Sequence, residues 1–161
     1  MSSEVVLRLS GLMRYMLYET SAGRVLLRDE ITHLQNYISI EQMRFADRLE
    51  LSFQCSGDIE GNVIEPLLLL PFIENAFKHG VENSPAWITI DIKVIGGRLF
   101  LKVENSLGGP AKNRPEGLGL GNVKRRLALT YPAAHELAIE QNNDSFKVDL
   151  KINLCEKSTV S

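Results

Sequence analysis

Residues 67–80 read LLLLPFIENAFKHG, an apolar run that turns amphipathic halfway along. On a helical wheel Phe72, Ile73, Ala76, Phe77 and Gly80 share one arc, while Glu74, Asn75, Lys78 and His79 crowd the opposite one. Pro66 and Pro71 suit the opening turns of a helix that ends near Gly80, which predicts a helix over residues 66–80. Its polar face combines an acid, an amide, a cation and an imidazole within two turns. An asparagine amide oxygen is a hard, neutral donor able to hold Mg²⁺, and Lys78 and His79 are placed to reach phosphate or ribose oxygens. A solvated face and a dipole-favoured histidine at the helix C-terminus explain the same residues without a ligand.

Upstream the pattern is helical from the start. Val5, Leu9, Leu12 and Met16 form one stripe; Leu27, Ile31, Leu34, Ile38 and Phe45 form a second, with Glu41 in its one gap. An αα-hairpin over residues 1–48 follows, and a second copy of the chain is the natural cover for its stripes, as a four-helix bundle. The alternative is that the hairpin packs onto its own domain. The abrupt start MSSEVVLRL suggests a piece of something longer.

From Leu49 the period switches to two. Leu49, Leu51, Phe53 and Cys55 read as a strand, and Ile88, Ile90, Ile92 and Val94 as another. Gly96-Gly97 turns the chain into a third strand through Leu99, Leu101 and Val103. After a Gly- and Pro-rich loop at 106–118, a helix runs from about Leu120 to Tyr131 and stops at Pro132. Leu137 and Ile139, then Phe146, Val148, Leu150 and Ile152, make a closing hairpin. Helices on one face of a mixed, mostly antiparallel sheet describe an α+β sandwich over residues 49–155, with a frayed tail at 156–161.

The 161 residues carry 44% hydrophobic and 24% charged side chains, an ordinary globular balance. A net charge of −2 and a pI near 5.9 give no electrostatic reason for direct nucleic-acid binding. Cys55 and Cys155 show no metal-ligand spacing and read as reduced structural thiols. The run Leu67–Ile73 is too short to cross a bilayer.

GLGLGNVKRRL leads from the loop into the last helix, with Gly117, Gly119 and Gly121 alternating. Alternating glycines let backbone amides approach a phosphate, and a helix N-terminus adds unpaired N–H groups. The loop that precedes them, in place of a strand, excludes a dinucleotide fold; the P-loop and protein-kinase signatures are absent. A flexible loop is the plainer explanation of the glycines alone.

Together these blocks carry a resemblance. ENAFKHG resembles the N box, and EGLGLGNVKRRL the G2 box, of the GHKL (Bergerat-type, HATPase) ATP-binding fold. LSGLMRYMLYE, DEITHLQNYISIEQMRFADRLE and EPLLLLPFIENAFKHG resemble the LytS-type sensor histidine kinases, over residues 5–154. The resemblance implies ATP and Mg²⁺ as cofactors. Asn75 would hold Mg²⁺, with Glu74, Lys78 and His79 on the phosphate side, Glu74 and His79 in catalytic roles. Gly117, Leu118, Gly119, Leu120, Gly121 and Asn122 would wrap the triphosphate beneath a lid at 106–118 that carries Lys112 and Arg114. Asn105 stands where the family's adenine-reading aspartate belongs, an uncharged acceptor whose amide can flip.

The implied activity is transfer of the ATP γ-phosphate to a histidine upstream of this chain, then to an aspartate on a response regulator. The family's acceptor motif is absent here. Of the three histidines, His79 is expected in the pocket wall, His135 in a solvated turn and His33 on the surface of the second helix. The expected partners are a second copy of the chain and a regulator of the LytTR DNA-binding type. The expected place is the cytoplasmic side of a membrane-tethered protein. A nucleotide-dead dimerising scaffold that holds a regulator is the competing reading. A stand-alone GHKL ATPase fits less well, because Pro71 occupies the place of its hydrolytic acid.

Overall fold

The computed structural model describes residues 6, 8, 9, 23–81, 85–107 and 120–154. The first helix of the expected hairpin, the lid beyond Leu107, Cys155 and the tail lie outside them. The described residues form seven strands: β1 (Val25–Leu26), β2 (Leu49–Gly57), β3 (Val63–Ile64), β4 (Ala86–Ile95), β5 (Arg98–Ser106), β6 (His135–Gln141) and β7 (Ser145–Asn153). With them, among the described residues, run the helices α1 (Leu27–Phe45), α2 (Leu70–Gly80) and α3 (Gly121–Thr130).

Five strands make one sheet in the order β2-β4-β5-β7-β6. Only β2 and β4 pair in parallel, and the segment that joins them contains α2, as a parallel crossover requires. The other three pairings are antiparallel. The β4–β5 turn works because Gly96 (φ 58°) and Gly97 (φ 76°) both take positive φ, which matches the twist of a two-residue hairpin. The short β1–β3 pair, Val25 against Ile64, has no periodicity to reveal it in sequence.

Alternation sends one side of each strand into the core. Ile88, Ile90, Ile92 and Val94 on β4 and Phe146, Val148, Leu150 and Ile152 on β7 are all buried. The helices cover this face with Leu34 and Ile38, Phe72 and Ile73, and Val123 and Leu127, all in one apolar cluster. The opposite face is a charge ladder: Asp91, Lys102 and Asp149 lie side by side across three strands, and Glu104, Lys147 and Glu140 do so one step along. Cross-strand opposite charges each add about 0.2–1 kcal/mol there. Cys55, a free thiol on β2, is half-buried, and burial pushes its pKa up, with Asp91 adding to the effect.

Three expectations change. The stripe Leu27, Ile31, Leu34 and Ile38 is covered by this chain's own core, so α1 needs no second copy to bury it. His33 is only 3% exposed, not a surface residue: Glu30, Ile31 and Leu34 around it are buried too, so the covered arc of α1 is wider than its apolar stripe. The helix begins at Leu70, not Pro66. Leu67 sits at φ 58°, a left-handed conformation that costs a leucine about 1–2 kcal/mol and through which a right-handed helix cannot run.

Candidate functional site

An open cleft of about 580 Å³ lies between α1 and α2. Tyr37, Glu41, Arg44 and Phe45 of α1 form one wall; Pro71, Glu74, Asn75, Phe77 and Lys78 of α2 form the other; Val81 and Leu120 close the ends. Aromatic packing sets the spacing of the walls. Phe77 meets Tyr37 edge-on with centroids 5.8 Å apart and stacks on Phe45 at 6.3 Å.

Asn75 is the most unusual lining residue. It is 6% exposed, on an arc that the wheel assigns to the polar side, and its Oδ1 has no hydrogen-bond partner among the described residues. A buried amide oxygen left unpaired costs about 1–3 kcal/mol, so the site fits a ligand that this oxygen can meet. No group of three or more His, Cys, Asp and Glu gathers as a metal site among the described residues. A hard cation here would therefore rest on Asn75 plus oxygens from a ligand and water, the usual habit of Mg²⁺.

The cleft is electrically tense. Glu74 is exposed at its surface, yet partial desolvation against the cleft pushes its carboxyl above its ordinary range, and the nearby Glu41 charge adds to this. Burial also raises Glu41, which the Arg44 guanidinium, 3.8 Å away, partly offsets. The Tyr37 hydroxyl is driven up chiefly by burial, then by Glu41 and Glu74. Two carboxylates facing one cleft suit a cationic ligand, or a cation carried with an anionic one.

Asn105 lies deeper, on β5, 1% exposed. Its Nδ2 donates to the Ser106 carbonyl at 2.9 Å, which settles the flip and leaves Oδ1 as an acceptor without a partner among the described residues. Gly80, the last residue of α2, packs on it so closely that a Cβ there would stand 2.8 Å from the Asn105 Cβ. The Ser106 hydroxyl pins this corner: it donates to the Gly80 carbonyl at 2.9 Å and accepts the Trp87 N–H at 2.9 Å.

Of the residues expected from sequence, Glu74, Asn75, Lys78 and Leu120 meet at the cleft. Gly121 and Asn122 are exposed in the first turn of α3. His79 is half-buried and does not line the cleft, and neither does Asn105. Gly117, Leu118 and Gly119 lie outside the described residues. The α1 wall was missed. Its one signal in sequence was Glu41, the break in an otherwise apolar stripe. His135 is no loop residue: it opens β6, with Nδ1 donating to the Tyr131 carbonyl at 2.7 Å.

The histidine kinase family model matches residues 1–49. The sensor protein kinase HptS of Staphylococcus aureus is 32% identical over 109 residues, which is 67% of this chain and 21% of HptS. The chain thus spans about a fifth of that relative's length. The histidine kinase domain of the Erythrobacter litoralis EL346 blue-light activated kinase has the same fold at 20% identity, with TM-score 0.58 over 94% of this chain and 74% of that one. Histidine kinase ThkA, solved in complex with the response regulator TrrA, gives TM-score 0.56 at 15% identity over 92% of this chain and 48% of that one. Full-length ShkA, solved with AMPPNP, gives 0.51 at 14% over 78% and 31%. By its sequence likeness to sensor kinases and by the fold it shares with their catalytic domains, the chain belongs to the histidine kinase family.

Proposed function

We propose that this chain is the ATP-binding catalytic part of a two-component sensor histidine kinase. The observation that carries the reading is the buried, unpaired Asn75 Oδ1 opening on a cleft that also holds Glu74, Lys78 and Leu120. AMPPNP in the ShkA structure, whose fold this chain shares, supports an adenine nucleotide as the ligand.

In this reading Asn75 contacts Mg²⁺, which when bound would neutralise triphosphate charge. Lys78 meets the phosphates as a point charge, and the N–H groups at the start of α3, from Gly121 and Asn122, face them with the positive end of the helix. Asn105 lies deeper than the cleft lining and would meet the adenine amino group with Oδ1 only where the base reaches past that lining, in the orientation its Nδ2–Ser106 bond leaves. Glu74 orients the attacking imidazole and accepts its proton, a task suited to a carboxyl held above its ordinary range. The imidazole nitrogen forms a bond to the γ-phosphorus as the bond to the β,γ-bridging oxygen breaks, and ADP leaves. The phosphoryl group then passes to an aspartate of a response regulator, for which the ThkA–TrrA complex is the precedent; we assign the regulator to the LytTR type. The exposed apolar side chains of Val6 and Leu9 support pairing with a second copy of the chain. No described helix is long and apolar enough to cross a membrane; the reading places this part on the cytoplasmic side of a membrane-anchored kinase.

Calorimetry with Mg·ATP tests the reading. The chain should bind Mg·ATP, and removing Mg²⁺ should weaken binding. Asn75→Ala should abolish the Mg²⁺ dependence while leaving the unfolding midpoint unchanged or higher, since an unpaired buried oxygen is removed. Absence of ATP binding by the wild-type chain would favour a scaffold that holds a regulator without nucleotide.

A further inference from the structure

The turn at residues 65–67, which leads into α2, is gripped by side chains from distant helices. From α1, Glu30 Oε2 accepts the Leu67 N–H at 3.2 Å. From α3, Arg126 donates from Nη1 to the Leu67 carbonyl at 3.0 Å and from Nη2 to the Pro66 carbonyl at 2.8 Å. Its Nη2 also lies 3.7 Å from the Glu65 carboxylate. The Tyr131 hydroxyl, one residue past α3, accepts the Glu65 N–H at 3.0 Å. Arg24 backs this end of α3, donating to the Thr130 carbonyl at 3.0 Å with its guanidinium 4.5 Å above the Tyr131 ring.

The grip falls on the turn residue least able to hold its shape alone. Leu67 takes φ 58°, which leucine rarely adopts, and its N–H and carbonyl are bonded by Glu30 and Arg126 respectively. A guanidinium bonding two successive carbonyls sets orientation as well as distance, which a single ammonium point charge does not. Three residues past the turn α2 begins, carrying Asn75; five residues before Arg126 α3 begins, next to the cleft residue Leu120.

We propose that Arg126, together with Glu30, is a positioning residue of the nucleotide cleft, clamping the 65–67 turn so that Asn75 on α2 and the N-terminus of α3 keep one fixed spacing. This rests on the nucleotide-binding reading above. Because Glu30 belongs to α1, the clamp also joins the cleft's outer wall to the same turn.

The test uses the whole 161-residue chain. Arg126→Met keeps the apolar stem and removes the bonds to the turn; Arg126→Lys keeps the charge without the fork. Mg·ATP affinity is read by calorimetry, and the Gly121 backbone and Asn75 side-chain amides by ¹H–¹⁵N spectra before nucleotide is added. Folded Arg126→Met should bind at least fivefold more weakly with both resonances displaced, and Arg126→Lys should fall between it and wild type. Adding Leu67→Gly to Arg126→Met should recover part of the affinity, because glycine takes positive φ without a clamp. Wild-type affinity in Arg126→Met (in Arg126→Lys should the methionine variant not fold), or unmoved resonances, overturns the proposal. A wild-type chain that binds no nucleotide refutes the functional reading instead, and the two resonances still decide the clamp.

Discussion

Glu41 breaks the apolar stripe of α1 where that helix passes the cleft, and its burial has a measurable consequence. A carboxyl raised above its ordinary range disfavours the folded state once ionised. Its contribution is intact below the unfolded carboxylate range, near pH 4, and is lost as pH rises through the raised folded value. Glu41→Gln should therefore be more stable than wild type at pH 7.5, by an amount that shrinks toward pH 4. Urea unfolding at both values measures this; a gap that widens toward low pH would show the Arg44 pairing to dominate over burial. Residue types were readable in sequence, their depth less so. Asn75 was visible as a candidate metal contact, but the wheel set it on a solvated arc, because a wheel knows only its own helix. In the folded chain Asn75 is 6% exposed and lines the cleft. The orientation of Asn105 depends on one hydrogen bond to Ser106, which no pattern of residue types records.

At the scale of elements, α2 and the sheet meet with almost no clearance at Gly80. Alanine there would bring its Cβ to 2.8 Å from the Asn105 Cβ, an atom fixed to the β5 backbone. Alanine's better helix propensity, about 1 kcal/mol at most, opposes the clash without cancelling it. Gly80→Ala should cost about 1–2 kcal/mol net in urea unfolding; wild-type stability would mean that helix and sheet separate freely at this corner. Both elements were legible beforehand. Strands β4, β5 and β7 announce themselves by strict alternation, because each has one buried and one solvated face. The start of α2 was misread at Pro66, since a proline suits a turn as well as a first helical residue and only Leu67's φ decides between them.

For the whole molecule, the arrangement of the histidines sets what the chain can do to itself. His33 is 3% exposed, and burial holds its imidazole below the ordinary range. His79 stands outside the cleft lining, and His135 opens β6 with Nδ1 committed to Tyr131. Incubated with Mg·ATP labelled at the γ-phosphate, the chain should take up no acid-labile phosphate. Strong labelling lost in His33→Gln would make His33 the acceptor and require α1 to leave the core. The α+β class and the polar constellation on residues 74–79 were determined by the sequence itself, because alternation, helical period and glycine spacing are local properties of the chain. Tertiary structure alone decided that α1 buries its stripe in its own domain and supplies a wall of the cleft. It alone brought Glu30 and Arg126, far apart in sequence, to the same turn. Those outcomes depend on which surfaces meet once the sheet exists, and an apolar stripe states that it will be covered without stating by what.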